Sequence, residues 1–125
     1  MEGDRKKDPN ISTHVLDTAK GLPVPNLRIE LFRCTNALNC GPNFDYSWVS
    51  LGQQSTDNDG RSRFAFDIEP DIYKMVFYTQ PFYESQATPN FYPKVEVIFR
   101  LTDVYRHHHI PLLLSPYGYS TYRGS

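Results

Sequence analysis

Apolar and polar residues alternate along much of the chain, and this period of two predicts β-strands. In residues 11–17 (ISTHVLD), Ile11 and Val15 fall on one face of a strand, while Ser12 and His14 fall on the other. Later segments repeat the pattern. The predicted strands cover residues 11–17, 27–32, 47–56, 63–66, 72–79, 94–102, 107–114 and 117–122.

Turn-forming residues separate these segments. Residues 21–26 (GLPVPN) and 57–60 (DNDG) carry the Gly, Pro and Asx residues that favour turns, and residues 34–46 form a loop rich in Asn, Gly and Pro. Ten prolines and seven glycines interrupt long helices, so at most one short helix fits, near residues 82–86. Seven or eight short strands with turn-rich joints indicate an all-β antiparallel sandwich.

Length and charge narrow the class of protein. A chain of 125 residues fits one domain, which we place at residues 11–125 after a flexible polar tail of residues 1–10. A net charge of -1 gives no reason to expect a nucleic-acid partner or an anionic membrane.

No apolar stretch approaches the roughly 20 residues of a membrane span, and the N-terminus lacks the apolar core of a secretory signal. We therefore expect a cytoplasmic protein, with the peroxisome as the alternative in a eukaryote.

The two cysteines suggest neither a redox motif nor a metal site. Cys34 and Cys40 are six positions apart, which matches neither a CxxC pair nor a four-ligand zinc site. A reduced chain is the simpler interpretation, and a single disulfide between them remains the alternative.

Three consecutive histidines are the first candidates for chemistry. In a strand, His107 and His109 share one face and His108 takes the other, where we expect it to be structural. Imidazoles two positions apart on a strand can converge on a metal ion, but no carboxylate or thiol nearby completes a ligand set, so we expect no metal. Proton transfer is the other use of such a pair, because imidazole titrates near neutral pH.

Taken alone, the other polar candidates have ordinary explanations. His14 fits a buried histidine bonded to a neighbouring hydroxyl, and Arg61 fits a surface charge after a turn. Residues 115–125 are rich in Tyr, Ser and Gly up to the last position, which favours an ordered end docked into the protein. The chain contains none of the GxSxG, P-loop, GxGxxG or HExxH motifs. These residues give candidates but no reaction.

Three ordered blocks resemble the transthyretin-like family. They are residues 11–18 (ISTHVLDT) followed by Gly21, Pro23 and Pro25, residues 56–61 (TDNDGR), and residues 107–125 (HHHIPLLLSPYGYSTYRGS). The resemblance spans nearly the whole chain. The terminal Tyr-Arg-Gly-Ser is similar to the family's enzyme branch, whose members hydrolyse 5-hydroxyisourate, and it is lacking in the hormone-carrier branch.

The resemblance implies a fold, an assembly and a site. The fold is an eight-stranded transthyretin-like β-sandwich with one short helix, and the assembly is a homotetramer, a dimer of dimers with active sites in the channel between dimers. No cofactor or metal is implied. The implied catalytic residues are His14, Arg61 and His109, and the implied substrate-binding residues are His14, Arg61, Tyr122, Arg123 and Ser125.

The implied reaction is the opening of a cyclic amide by water, which converts 5-hydroxyisourate to 2-oxo-4-hydroxy-4-carboxy-5-ureidoimidazoline. Either His14 or His109 accepts the proton of the water, and Arg61 holds the developing oxyanion. The sequence departs from the family where His108 replaces a tyrosine and where residues 34–54 are longer than in compact relatives. The alternative function is a transthyretin-type carrier that binds a small hydrophobic ligand in the tetramer channel.

Overall fold

The computed structural model describes residues 6–125, which form two sheets packed face to face. The single α-helix of these residues, α1, covers Gln80–Ser85, and a short 3-10 helix covers Ala37–Asn39. The strands are β1 (Asn10–Asp17), β2 (Leu22–Pro23), β3 (Arg28–Cys34), β4 (Trp48–Ser55), β5 (Arg61–Ala65), β6 (Asp71–Phe77), β7 (Val95–Leu101), β8 (His108–His109), β9 (Leu112–Ser115) and β10 (Gly118–Thr121). The predicted class, all-β with one short helix, is confirmed.

β1 is central to the first sheet. On one side it pairs antiparallel with β5 and β2, and on the other it pairs parallel with β8 and β9, while β10 pairs antiparallel with β9. The second sheet has the order β4-β3-β6-β7 and is antiparallel throughout. The first sheet is therefore mixed, where the sequence predicted only antiparallel pairing. Parallel neighbours need a long crossover, and here most of the chain forms it.

The predicted faces of the strands match their burial. β1 alternates between partly exposed and buried positions, with Ile11, Thr13 and Val15 facing the core. Thr13 is the polar member, and its Oγ1 donates a hydrogen bond of 2.5 Å to the carbonyl of Ile110. The core cluster also contains large buried residues from both sheets, among them Leu27, Ile29, Leu31, Tyr73, Phe77, Leu101, Leu112 and Leu114.

Prolines account for two differences in the element boundaries. Residues 107–114 form two strands instead of one, because Pro111 has no N–H to donate to the ladder between them. The helix begins at Gln80, earlier than predicted, and Pro81 lies in its first turn, where a missing N–H costs nothing.

Asp8 and Pro9, at the end of the predicted N-terminal tail, form backbone hydrogen bonds with the rest of the fold. Residues 1–5 lie outside the described residues. The Asp8 N–H donates to the Val104 carbonyl at 2.8 Å, and the Pro9 carbonyl accepts from the Phe66 N–H at 3.0 Å. β1 itself begins at Asn10.

Within residues 6–125 no helix is long and apolar enough to cross a membrane. Cys34 and Cys40 are both free thiols, and the Cys34 thiol donates to Oδ1 of Asn36 at 3.3 Å.

Candidate functional site

The outward face of β1 gathers polar residues from three adjacent strands. His14 of β1 pairs with Arg61 of β5, and Ser12 pairs with His109 of β8. Residues that pair directly across neighbouring strands project to the same face of a sheet. His14, Arg61 and His109 therefore share one face.

Ser12 joins two of the consecutive histidines. Its Oγ lies 2.7 Å from Nε2 of His107 and 2.7 Å from Nδ1 of His109. The two imidazole rings are stacked, with centroids 6.3 Å apart. On the far side of His107, Nδ1 lies 3.8 Å from Oδ2 of Asp8. The result is a row of polar groups that runs from Asp8 through His107 and Ser12 to His109.

The turn before β5 fixes Arg61 beside His14. Oδ1 of Asp57 accepts hydrogen bonds of 2.9 Å from the N–H groups of Asp59 and Arg61. Gly60 has φ +75, and a Cβ at this position would lie 2.5 Å from the carbonyl oxygen of Val15. Only glycine combines this conformation with this close approach. The turn thus packs directly on β1 and sets the position of the arginine that follows it.

The C-terminus is docked against His109. Gly124 forms an antiparallel bridge with His109, and its N–H donates to the His109 carbonyl at 2.8 Å. Gly124 is buried, whereas the neighbouring Ser125 is exposed. This docking confirms the prediction of an ordered end and brings the last residue of the chain beside the histidine.

Two cavities meet at His109. One, the polar cavity, has a volume of about 440 Å³. The residues that line it are all polar or charged: Ser12, Thr13, Asp57, Arg61, Ser62, Arg63, His107, His109 and Ser125. The other has a volume of about 280 Å³ and is lined by Val97, Phe99, Arg100, Thr102, Asp103, His108, His109, Ile110, Thr121, Tyr122 and Arg123. Ser125 thus lies with Arg61, while Tyr122 and Arg123 lie in the neighbouring cavity.

Burial and nearby charge keep His109 neutral. Desolvation is the largest cause that lowers the pKa of His109 below its ordinary value, and the charges of His107, Arg61 and His14 lower it further. An imidazole that is neutral near pH 7 can accept a proton. His109 therefore has the protonation state that a general base requires.

The second histidine of the run lies on the opposite face of the strand, as expected. His108 is buried on the opposite face, and its Nδ1 has no hydrogen-bond partner among the described residues. Burial is the main cause that lowers the pKa of His108.

No group of three or more His, Cys, Asp or Glu side chains in residues 6–125 is arranged to hold a metal ion.

Sequence reasoning did not identify the roles of Ser12, Asp8 and Gly124. The period of two placed Ser12 on the face of His14, but it gave no sign that Ser12 bridges two histidines. By sequence, Asp8 lies in the polar tail and Gly124 in the terminal motif, and neither position indicates a contact with the histidines. The contact of Ser12 with His107 joins residues 95 positions apart, which no local pattern can reveal.

Residues 11–124 match the model of the HIUase/Transthyretin family. The chain belongs to this family. The mouse 5-hydroxyisourate hydrolase is 39% identical, and the match covers 92% of this chain and 94% of the mouse protein. The structure of Klebsiella pneumoniae 5-hydroxyisourate hydrolase is similar with a TM-score of 0.76 and 25% identity, over 93% of this chain and 99% of that one.

A carrier protein shares the fold. Sea bream transthyretin in complex with thyroxine has a TM-score of 0.80 and 24% identity, over 94% of this chain and 95% of that one. At this level of identity the likeness shows the fold alone, and the transthyretin-like class of the sandwich is confirmed.

Proposed function

We propose that this protein hydrolyses 5-hydroxyisourate to 2-oxo-4-hydroxy-4-carboxy-5-ureidoimidazoline. The observation that carries the proposal is the convergence of His14, Arg61 and His109 on one outward face, in a chain 39% identical to a protein named as this hydrolase. The catalytic unit is the single domain of residues 11–125.

His109 is the general base in this proposal. Its lowered pKa keeps it neutral, and its Nε2 makes no hydrogen bond with the described residues, because the contact with Ser12 is through Nδ1. Nε2 takes a proton from water as the water oxygen attacks the ring carbonyl carbon. A well-placed base of this kind contributes roughly 10²–10⁴ in rate.

Arg61 stabilises the oxygen of the attacked carbonyl. Its guanidinium is permanently charged and presents several N–H donors in one plane, which suits the oxyanion of the tetrahedral intermediate. The turn at residues 57–60 holds the arginine at the rim of the polar cavity. The charge is therefore in place before the reaction begins.

Collapse of the intermediate breaks the C–N bond of the cyclic amide. His14 is adjacent to Arg61 and supplies the proton that the departing ring nitrogen needs. The carbonyl carbon becomes the carboxylate of the product. Ser125 contributes to substrate binding in the cavity that Arg61 lines, and Tyr122 and Arg123 do so from the neighbouring one.

We propose that the protein assembles as a homotetramer in which a second copy covers this face. Arg61, Tyr122 and Ser125 are exposed in the single protomer, and β10 also exposes Tyr119. A hydrolytic site works better when it is shielded from bulk water, because electrostatic stabilisation is stronger there. Static light scattering tests the assembly, and a monomer that is fully active would refute it.

The carrier alternative has weaker support. Likeness to transthyretin extends to the fold, whereas the polar cavity carries two arginines and two histidines, which do not suit a hydrophobic ligand.

The deciding experiment follows the ultraviolet absorbance of 5-hydroxyisourate that urate oxidase has produced in the cuvette. We expect this protein to accelerate the decay, and we expect His109→Ala to remove most of the acceleration while the fold is retained. Decay at the spontaneous rate in the presence of well-folded wild-type protein would refute the proposed function.

A further inference from the structure

The Ser12 hydroxyl couples the proton positions of two histidines. A serine hydroxyl has one proton to donate, and it accepts through the same oxygen. Ser12 Oγ contacts Nε2 of His107 and Nδ1 of His109 at 2.7 Å each, and it contacts no other polar side-chain atom among the described residues. Because the oxygen has two lone pairs, Ser12 either donates to one ring and accepts from the other, or accepts from both rings.

Three neutral arrangements satisfy both hydrogen bonds. In the first, His109 donates from Nδ1 to Ser12, and Ser12 donates to Nε2 of His107. His109 then has its lone pair on Nε2, and His107 carries its proton on Nδ1. In the second, His107 donates from Nε2, Ser12 donates to Nδ1 of His109, and His109 carries its proton on Nε2. In the third, both rings donate to Ser12, so His109 again has its lone pair on Nε2, and His107 has its lone pair on Nδ1. Only the second arrangement leaves His109 unable to accept a proton at Nε2.

Asp8 favours the first arrangement. Its Oδ2 lies 3.8 Å from Nδ1 of His107, so a proton on that nitrogen is attracted by the carboxylate, while a lone pair there would be repelled. The carboxylate is held in place, because Oδ1 accepts a hydrogen bond of 2.8 Å from Nδ2 of Asn10 and the Asp8 backbone is bonded to Val104. The distance exceeds that of a hydrogen bond, so Asp8 acts through its charge.

We propose that Asp8 and His107 act through Ser12 as positioning residues that hold the proton of His109 on Nδ1 and leave its Nε2 free for the attacking water. This inference rests on the proposed function for the meaning of the free Nε2, but the proton position itself does not depend on the substrate. The hydrogen bond that one ring nitrogen of a histidine makes commonly sets which nitrogen is free for chemistry. Here a serine hydroxyl makes that hydrogen bond.

The direct test is the nitrogen spectrum of ¹⁵N-histidine-labelled protein at about pH 8, where histidines are neutral. Long-range ¹H–¹⁵N correlations distinguish a protonated ring nitrogen from one with a lone pair. The chain has four histidines, so each can be assigned with single His→Gln variants. We expect protons on Nδ1 of both His107 and His109. A wild-type His109 with its proton on Nε2 would overturn the proposal.

Variants of Ser12 and Asp8 separate positioning from simple packing. We expect Ser12→Ala to shift the proton of His109 toward Nε2 and to lower kcat at least tenfold with little change in KM. Ser12→Thr keeps the hydroxyl, so we expect it to retain the wild-type spectrum and most of kcat. Asp8→Asn removes the charge and should give a mixture of His107 tautomers with a smaller loss of kcat. A wild-type kcat in Ser12→Ala, or equal losses of kcat in Ser12→Ala and Ser12→Thr, would contradict the proposed positioning through Ser12.

A matched control is Ser50→Ala. Ser50 lies on β4 of the other sheet and donates to Oε2 of Glu30 at 2.8 Å, so its loss should change neither the histidine spectrum nor kcat. The spectrum also separates the two proposals. If the protein shows the expected tautomers and their dependence on Ser12 but does not hydrolyse 5-hydroxyisourate, the positioning role of Ser12 is supported and the proposed substrate is refuted.

Discussion

Gly124 lies directly against the imidazole of His109. A Cβ built on Gly124 would come 2.7 Å from Cδ2 of His109 and 3.3 Å from its Cβ and Cγ. The same glycine donates its N–H to the His109 carbonyl at 2.8 Å. The second-last residue of the chain therefore fixes where the ring of the proposed base can lie.

Gly124→Ala should impair catalysis more than stability. The added methyl group forces the His109 ring to move, and a misplaced catalytic group can cost roughly tenfold to a hundredfold in rate. We expect a drop of that size in kcat with a nearly unchanged melting temperature. The control is Gly118→Ala, because a Cβ there meets only Ser115 Oγ at 3.6 Å. Equal kcat in both variants would show that the contact with Gly124 does not position the ring.

Arg61→Lys should lower kcat/KM by about 10²–10³, because a single ammonium group cannot reproduce several aligned guanidinium donors at an oxyanion. The Arg61 side chain is exposed, so thermal stability should stay at the wild-type level. Steady-state kinetics and a melting curve measure the two effects. Arg28→Lys is the control: its guanidinium lies 4.0 Å from the Tyr78 ring centroid on the other sheet, and activity should be retained. An unchanged kcat/KM in Arg61→Lys would exclude the oxyanion role.

The acid limb of the pH–activity profile should lie below pH 6.5. Burial and the charges of His107, Arg61 and His14 lower the pKa of His109 from its ordinary value of 6.5, so the basic form persists to more acidic pH. The profile of kcat/KM measures this directly. A midpoint at or above pH 6.5 would argue against His109 as the titrating base. In His109→Gln, the residual kcat/KM should no longer decrease over this acidic range.

Stability should fall as the pH is lowered from about 6.5. The pKa of His108 and that of His109 are both lowered in the folded protein, mainly by burial, whereas in the unfolded chain they return to 6.5. Between the folded and unfolded pKa values the unfolded chain binds more protons, so the free energy of unfolding decreases as pH decreases. Urea denaturation at several pH values measures the slope. His108→Phe removes one of the two groups and should reduce that slope; an unchanged slope would assign the effect elsewhere.

Tyr83→Phe should leave stability unchanged or raise it. The Tyr83 hydroxyl is buried without a hydrogen-bond partner among the described residues, and burial, with a contribution from Asp17, raises its pKa to about 12. Removing an unsatisfied buried hydroxyl removes a desolvation cost. Tyr73→Phe is the matched control, because the Tyr73 hydroxyl donates to the Glu69 carbonyl at 2.6 Å, and losing that bond should cost about 1 kcal/mol. A larger loss in Tyr83→Phe than in Tyr73→Phe, measured by denaturation, would contradict the assignment.

The sequence by itself determined most of the strands and the faces of β1 and β3. Alternation is a property of neighbouring residues, so β1 and β3 could be predicted with the correct buried side, as could the turn at residues 57–60. Through the resemblance to the family, the three motif blocks also indicated His14, Arg61 and His109.

Only the tertiary structure decided which strands are neighbours and what the histidines contact. The parallel pairing of β1 with β8 and β9 joins segments from opposite ends of the chain, and it creates the bridge from Ser12 to His107 and His109. The tertiary structure also places Ser125 in the polar cavity and Tyr122 in the neighbouring one. Local periodicity fixes which side a residue faces, but the partner across the sheet depends on how the whole core packs.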